Sequence, residues 1–142
     1  MKIEKAGPID YPQIMEVWES SVKATHDFLK PEDFLWYKNV IPTDYLPNLD
    51  LYVLRSDSKV LGVMGVSGED LEMLFISGTS RGKGYGKALL EYAVRELNVK
   101  KLDVNEQNAQ ALGFYEKFGF KIVGRSEKDG MGKDYPILHL SL

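Results

Sequence analysis

The chain has 142 residues, 44% hydrophobic and 27% charged, which fits one compact domain able to bury roughly two thirds of its unfolded surface. Eighteen basic against twenty-one acidic residues leave a formal charge of −3, so there is no basic field of the kind that holds nucleic acid or an anionic membrane. The absence of cysteine excludes disulfides, a thiol nucleophile and an acyl-cysteine intermediate, and two histidines far apart, His26 and His139, offer too few ligands for a transition-metal site.

Taken in chain order, Met1 to Lys5 alternates as an edge strand does, and Asp10 then reads as a helix N-cap with Gln13 three residues on. The helix runs to about Ala24, with Ile14, Val17, Trp18, Ser21 and Val22 forming a stripe for packing on a sheet. Pro31 suits the first turn of a second helix, to about Val40, and Pro42 is expected to stop it. Leu49 to Arg55 and Val60 to Ser67 flank the polar stretch Ser56 to Lys59 and make a hairpin, which Leu71 to Ile76 extends into a meander. Next come a helix from Gly84 to Leu97, a strand from Lys100 to Asn105, a helix from Asn108 to Phe118, and strands from Lys121 to Arg125 and Pro136 to Leu140. The crossover from Leu71 to Asn105 makes its two strands parallel neighbours in an otherwise antiparallel α/β sheet. No N-terminal signal segment and no bilayer-length apolar run is present, so the expectation is a cytoplasmic protein with no membrane partner.

The most informative stretch is Arg81-Gly82-Lys83-Gly84-Tyr85-Gly86, lying between a strand and a helix. Closely spaced glycines permit positive φ and let successive N–H groups converge on an anion, and the helix adds its positive end. A P-loop would need Gly where Arg81 stands and Ser or Thr where Ala88 stands, and a dinucleotide fingerprint needs another glycine spacing. A second constellation follows, Val104-Asn105-Glu106-Gln107-Asn108 ahead of Gly113-Phe114-Tyr115-Glu116-Lys117-Phe118-Gly119.

The pattern Arg-x-x-Gly-x-Gly at Arg81, Gly84 and Gly86, with this second motif, resembles the GNAT superfamily of acyl-CoA-dependent N-acetyltransferases. The resemblance spans nearly the whole chain in element order. It departs at Ser77-Gly78, where many members carry Asp-Pro before the loop. It implies a GNAT fold, a mixed, mostly antiparallel sheet with one splayed parallel pair and flanking helices, and transfer of acetyl from acetyl-CoA directly to an amine in a ternary complex. The alternative is an acyl-CoA-binding module on the same fold. The resemblance also implies that Arg81, Gly82, Lys83, Gly84, Tyr85, Gly86 and Lys87 hold the pyrophosphate. Leu74, Phe75 and Ile76 would present backbone donors from a bulged strand, Asn105 and Asn108 would contact the pantetheine arm or nearby backbone, and Phe114 would bind the cofactor. A larger residue at Gly84 is expected to fill space that the turn keeps free for the cofactor.

Tyr115 matches the family's general acid. A phenol of pKa about 10 can protonate a departing thiolate whose conjugate acid lies near 8.5 or somewhat above. By helical spacing, however, Tyr115 shares a face with Leu112 and Phe118 and could equally be a core aromatic. An alkylammonium must lose a proton before it attacks, and Glu72 occupies a position where several members place an acid for that task, unless it is an edge-strand residue facing solvent. His26, in the loop between the first two helices and oriented by Asp27, is the other candidate base. The acceptor pocket falls to the segment from His26 to Asn48, where Trp36, Tyr37 and Tyr45 either line it or pack, and Asp27, Glu32, Asp33 and Asp44 suit a cationic amine or peptide. The expected state is monomer or homodimer, with the C-terminal strand available to pair with a second subunit.

Overall fold

The computed structural model describes residues 1–142. The strands are β1 (Lys2–Lys5), β2 (Asp50–Ser56), β3 (Lys59–Ser67), β4 (Asp70–Ile76), β5 (Lys101–Asn105), β6 (Lys121–Ser126) and β7 (Ile137–Ser141). The helices are α1 (Tyr11–Thr25), α2 (Pro31–Val40), α3 (Tyr85–Glu96) and α4 (Ala109–Phe118). All seven strands form one sheet in the order β1-β2-β3-β4-β5-β7-β6. Every pairing is antiparallel except β4 with β5. That parallel pair is short, holding register only at Asp70 with Lys101 and Leu71 with Leu102. The parallel pair is as the crossover predicts, and its splay is as the GNAT resemblance implies.

Both faces of the sheet are covered, which is why β3 is buried continuously from Val60 to Val66 instead of alternating. Met64 and Val66 pack with Leu89, Leu90 and Ala93 of α3 and with Phe120, while Val60 and Val63 pack with the α1 stripe Ile14, Val17, Trp18 and Val22. Gly62 permits the close seating of α3: a Cβ there would lie 2.7 Å from Ile76 Cδ1 and 3.0 Å from Leu89 Cδ1.

Three expectations change. Asp10 is the N-cap residue of α1, as expected, but the turn Pro8–Asp10 gives it helical backbone angles and its carboxylate makes no capping hydrogen bond to α1. It accepts from the Gly7 N–H at 3.0 Å and from Arg55 Nη2 at 3.0 Å, tying the helix entry to β2. Pro42 does not end the helical path after α2, which widens into a π-type turn, Ile41–Tyr45, and then the turn Leu46–Asn48. Proline sits near the start of the widened turn, where its missing N–H costs little, and the path buries Ile41 and Leu46. The C-terminal strand β7 is not free for a second subunit, because it pairs with β5 on one side and β6 on the other, and β6 forms the edge.

Candidate active site

Where β4 and β5 part, a cleft of about 550 Å³ opens between α1, α3 and α4. β4 bulges at this point. Val66 pairs with Leu71 and Gly65 with Met73, so Glu72 is the unmatched extra residue. Beyond Leu71 the edge of β4 facing β5 has no strand partner, and Leu74, Phe75 and Ile76 line the cleft.

The glycine turn closes one end of the cleft. Gly82 and Gly84 take φ of +75° and +82°, and Gly84 is the N-cap residue of α3, with no side chain capping the exposed N–H groups. Those uncapped donors and the helix dipole fit an anion. Gly86 carries no Cβ where one would meet Phe114 and Ile76 at 3.6 and 3.8 Å. At Gly84 no atom lies within 4 Å of an added Cβ. The left-handed backbone adds a constraint of its own, and the open space beside Gly84 is what a turn that keeps room for a ligand would show. The turn is moored by Gly78, whose N–H donates to Ser20 Oγ of α1 at 2.8 Å, so the Ser77-Gly78 departure has a docking role of its own. Arg81 Nη2 donates to Gln110 Oε1 at 2.6 Å, joining the turn to α4 across the mouth of the cleft.

Every residue assigned from sequence to the cofactor or to catalysis lines this cleft except Lys83, which is exposed in the turn and outside the cleft wall, whereas Asp27, Glu32, Asp33, Trp36, Tyr37, Asp44 and Tyr45 of the expected acceptor segment are not on its wall. Lys87 lines it and also pairs with Glu91 at 3.9 Å. Asn105 and Asn108 use their side-chain oxygens locally, Asn105 accepting from Gln107 N–H at 3.1 Å and Asn108 capping α4 through Ala111 N–H at 3.2 Å. Their amide NH₂ groups are left as donors.

Tyr115 is 8% exposed and packs edge-on against Phe120, so the core-aromatic reading holds for its ring. Its hydroxyl makes no hydrogen bond within the protein, yet it is not sealed in the core, since no fully buried polar side-chain atom lacks a partner. The hydroxyl therefore opens to the cleft. Burial raises its pKa above the ordinary phenol value, keeping it protonated.

Glu72 is not on an edge strand, since β4 lies inside the sheet; it reaches the cleft because β5 has turned away. Although the side chain as a whole is exposed, the cleft wall partly shields its carboxyl, which raises the pKa, and Asp70 and Asp103 add to the rise. Tyr45 Oη donates to Glu72 Oε2 at 3.4 Å, and burial, with Glu72 second, lifts the Tyr45 phenol to about 12. His26 follows α1 and is held by Thr25 rather than by Asp27. Thr25 Oγ1 has one proton, and both of its contacts are satisfied together when it donates to Ser21 O at 2.8 Å and accepts from His26 Nδ1–H at 2.6 Å. In the neutral ring Nε2 then carries the lone pair. Burial lowers the His26 pKa, more than Asp27 raises it.

Of the aromatics left open, Tyr45 reaches the cleft through Glu72, whereas Tyr37 donates to Asp129 and Trp36 lies under Lys133 Nζ at 4.5 Å. Asp33 accepts from Tyr135 Oη at 2.5 Å. These contacts fasten α2 to the segment joining β6 and β7. Sequence reasoning missed Thr25, Ser80, Asp103 and Gln110 as cleft residues. Period-two alternation in β5, with Leu102 and Val104 buried, carried the signal for Asp103.

The profile of the acetyltransferase (GNAT) domain matches residues 21–132. The chain belongs to the GNAT family. It is similar to the peptidyl-lysine N-acetyltransferase YjaB of Salmonella typhimurium, 43% identical over 129 residues that cover 90% of this chain and 88% of the relative. The solution structure of apo-form YjaB from Escherichia coli superposes with a TM-score of 0.88 at 38% identity, covering 99% of this chain and 95% of that one. At the level of fold alone, the PaiA N-acetyltransferase of Thermoplasma acidophilum in complex with coenzyme A matches with a TM-score of 0.74 at 21% identity, over 100% of both chains. This GNAT protein is an acyltransferase, moving acetyl from acetyl-CoA to an amine. None of its helices is long and apolar enough to cross a membrane.

Proposed function

We propose that this protein acetylates lysine side chains of peptides or proteins, passing the acetyl group directly from acetyl-CoA to the amine in a ternary complex. The observation that carries the direct mechanism is the buried Tyr115 hydroxyl, unpartnered within the protein and open to the cleft where β4 leaves β5. The peptidyl-lysine relatives support the acceptor class.

In this reading the pyrophosphate rests on the uncapped start of α3, within reach of Arg81 and Lys87, and the pantetheine arm runs beside Leu74 to Ile76. Backbone donors on the unpaired edge of β4 polarise the thioester carbonyl and stabilise the oxyanion formed on attack. Glu72 takes the proton from the ammonium, its raised pKa making it a stronger base than an ordinary carboxylate. His26 Nε2 is the second proton acceptor on the cleft wall, favoured by its fixed tautomer. The neutral amine attacks the carbonyl carbon, the C–S bond breaks as Tyr115 gives its proton to the sulfur, and the second proton that the attacking nitrogen sheds in becoming an amide passes through cleft water to restore the Tyr115 phenol.

The test is release of free CoA from acetyl-CoA, followed with a thiol reagent that finds no cysteine in the protein. Lysine peptides, free amino acids, polyamines and aminoglycosides serve as acceptors. Release confined to lysine peptides is the expected result. Equal rates with small amines would remove the peptide specificity, and no release with any amine, acetyl-CoA binding intact, would favour an acyl-CoA-binding module.

A further inference from the structure

A hydrogen-bonded side-chain chain crosses three strands beside the cleft. Asp103 of β5 and His139 of β7 are direct cross-strand partners, with Asp103 Oδ1 2.7 Å from His139 Nδ1. On the far side of the ring, His139 Nε2 lies 2.7 Å from Ser126 Oγ of β6. An ionised carboxylate only accepts, so Nδ1 carries the hydrogen; in the neutral ring Nε2 then accepts from the Ser126 hydroxyl. Facing the ring on β6 is Gly124, where a Cβ would already stand 3.4 Å from His139 Cδ2, so the sheet leaves the imidazole its seat.

Asp103 is the only one of these three that lines the cleft. There it shares the wall with Glu72, on the strand that parts from its own, and its charge adds to the raised proton affinity of Glu72. Tyr115 opens into the same cleft from α4, more than nine-tenths buried and with no protein partner for its hydroxyl, so the cavity that Asp103 lines holds a polar group waiting for a ligand.

We propose that Asp103 is a second acceptor-recognition carboxylate, which with Glu72 receives the incoming alkylammonium, and that His139, braced by Ser126, is the positioning residue that holds it. The inference rests on the acetyl-transfer reading of the cleft and specifies what its acceptor end selects. An exposed aspartate swings among rotamers, and its entropy would count against binding a cation. Holding one oxygen from β7 with an N–H donor fixes the carboxylate in advance and leaves its other oxygen without a partner in the protein.

Steady-state kinetics with a lysine peptide tests this in Asp103→Asn, His139→Ala, His139→Gln and Ser126→Ala. The peptide KM should rise about tenfold in Asp103→Asn, as expected for losing a hydrogen bond to a charged group, and somewhat less in His139→Ala. His139→Gln, able to donate to Asp103, should recover most of the loss, and the KM for acetyl-CoA should stay within about twofold throughout. Long-range proton–nitrogen spectra of neutral His139 should show the Nδ1–H tautomer. A separate arm titrates the protein with n-butylammonium, using n-butanol as the neutral control, and follows the resonances of Glu72 and Asp103. Shifts specific to the cation that vanish in Asp103→Asn sustain the proposal even if no lysine peptide is acetylated, in which case only the peptide reading falls. An unchanged peptide KM and unchanged cation shifts in Asp103→Asn would overturn it. So would parallel increases in both KM values, or a dominant Nε2–H tautomer.

Discussion

Replacing Tyr115 by Phe separates chemistry from stability. The ring is 8% exposed and packs against Phe114 and Phe120, and Phe keeps those contacts. The hydroxyl has no protein partner to lose, so the substitution strands no donor or acceptor in the core. The change in unfolding free energy should stay within about 0.5 kcal/mol, which for a chain of this size is a Tm shift of about 2 °C or less. Turnover should behave differently: losing a positioned general acid costs about 10²- to 10⁴-fold in kcat. The KM for acetyl-CoA should hardly move, because binding rests on the turn and the β4 edge. Burial raises the phenol pKa, so the acid form persists beyond the ordinary value of about 10, and wild-type kcat should show no falling limb below that pH. Thiol-release rates from pH 6 to about 10 and thermal melts of both proteins provide the measurement. Full turnover of the variant at every pH would refute the assignment, and a loss of more than about 2 kcal/mol would show that the hydroxyl is structural after all.

Gly84→Ala puts a side chain on a φ of +82° with no protein atom within 4 Å, so it should cost about 1–2 kcal/mol by urea unfolding through backbone strain and weaken CoA binding. Unchanged stability would show that the turn relaxes freely. Gly62→Ala is a packing test: its Cβ would press on the flexible ends of Ile76 and Leu89, giving about 1–3 kcal/mol of destabilisation, and a stability gain would contradict the close seating of α3. His26 has a folded pKa below its unfolded value of about 6.5, so the unfolded chain binds more protons and stability falls as pH drops from that value toward the lowered one. Urea midpoints compared at neutral and mildly acidic pH should show a shallower decline in His26→Gln; equal slopes would mean the ring is not desolvated. Ser20→Ala removes the acceptor of the Gly78 N–H and should raise the KM for acetyl-CoA several-fold, with stability down by about 1 kcal/mol. A KM that stays put would free the turn from its mooring on α1.

Elements set by local periodicity were legible from the chain. The α1 stripe Ile14, Val17, Trp18, Ser21 and Val22 is the set of residues buried in that helix, and the spacing of Gly82, Gly84 and Gly86 marked a turn whose first two glycines do require positive φ. What stayed hidden depends on partners distant in sequence. Asp10 carries the composition of an N-cap, but Arg55, 45 residues later, claims one of its oxygens. Asp27 adjoins His26, yet a hydroxyl one turn of α1 from Ser21 O has the better geometry. Asp103 and His139 stand 36 residues apart, and nothing in either segment announces that β7 will lie beside β5.

That insertion of β7 also explains how the cleft can exist. Two strands that part after two residue pairs leave backbone groups without ladder partners, and a strand freed on both sides would lose its reason to remain a strand. β5 avoids this because β7 pairs with it over its full length, from Lys101 with Ser141 to Asn105 with Ile137. β4 is likewise held along its other side by β3, from Ser67 with Asp70 to Gly62 with Ile76. Each strand facing the gap is thus anchored from behind, and only the inward edges remain unpaired. Had the crossover through α4 placed β6 next to β5, β7 would be the outer strand, and His139 would lie beyond reach of Asp103. The strand order that sequence reasoning could not supply therefore does two jobs, keeping the cleft open and bringing the imidazole to the carboxylate on its wall.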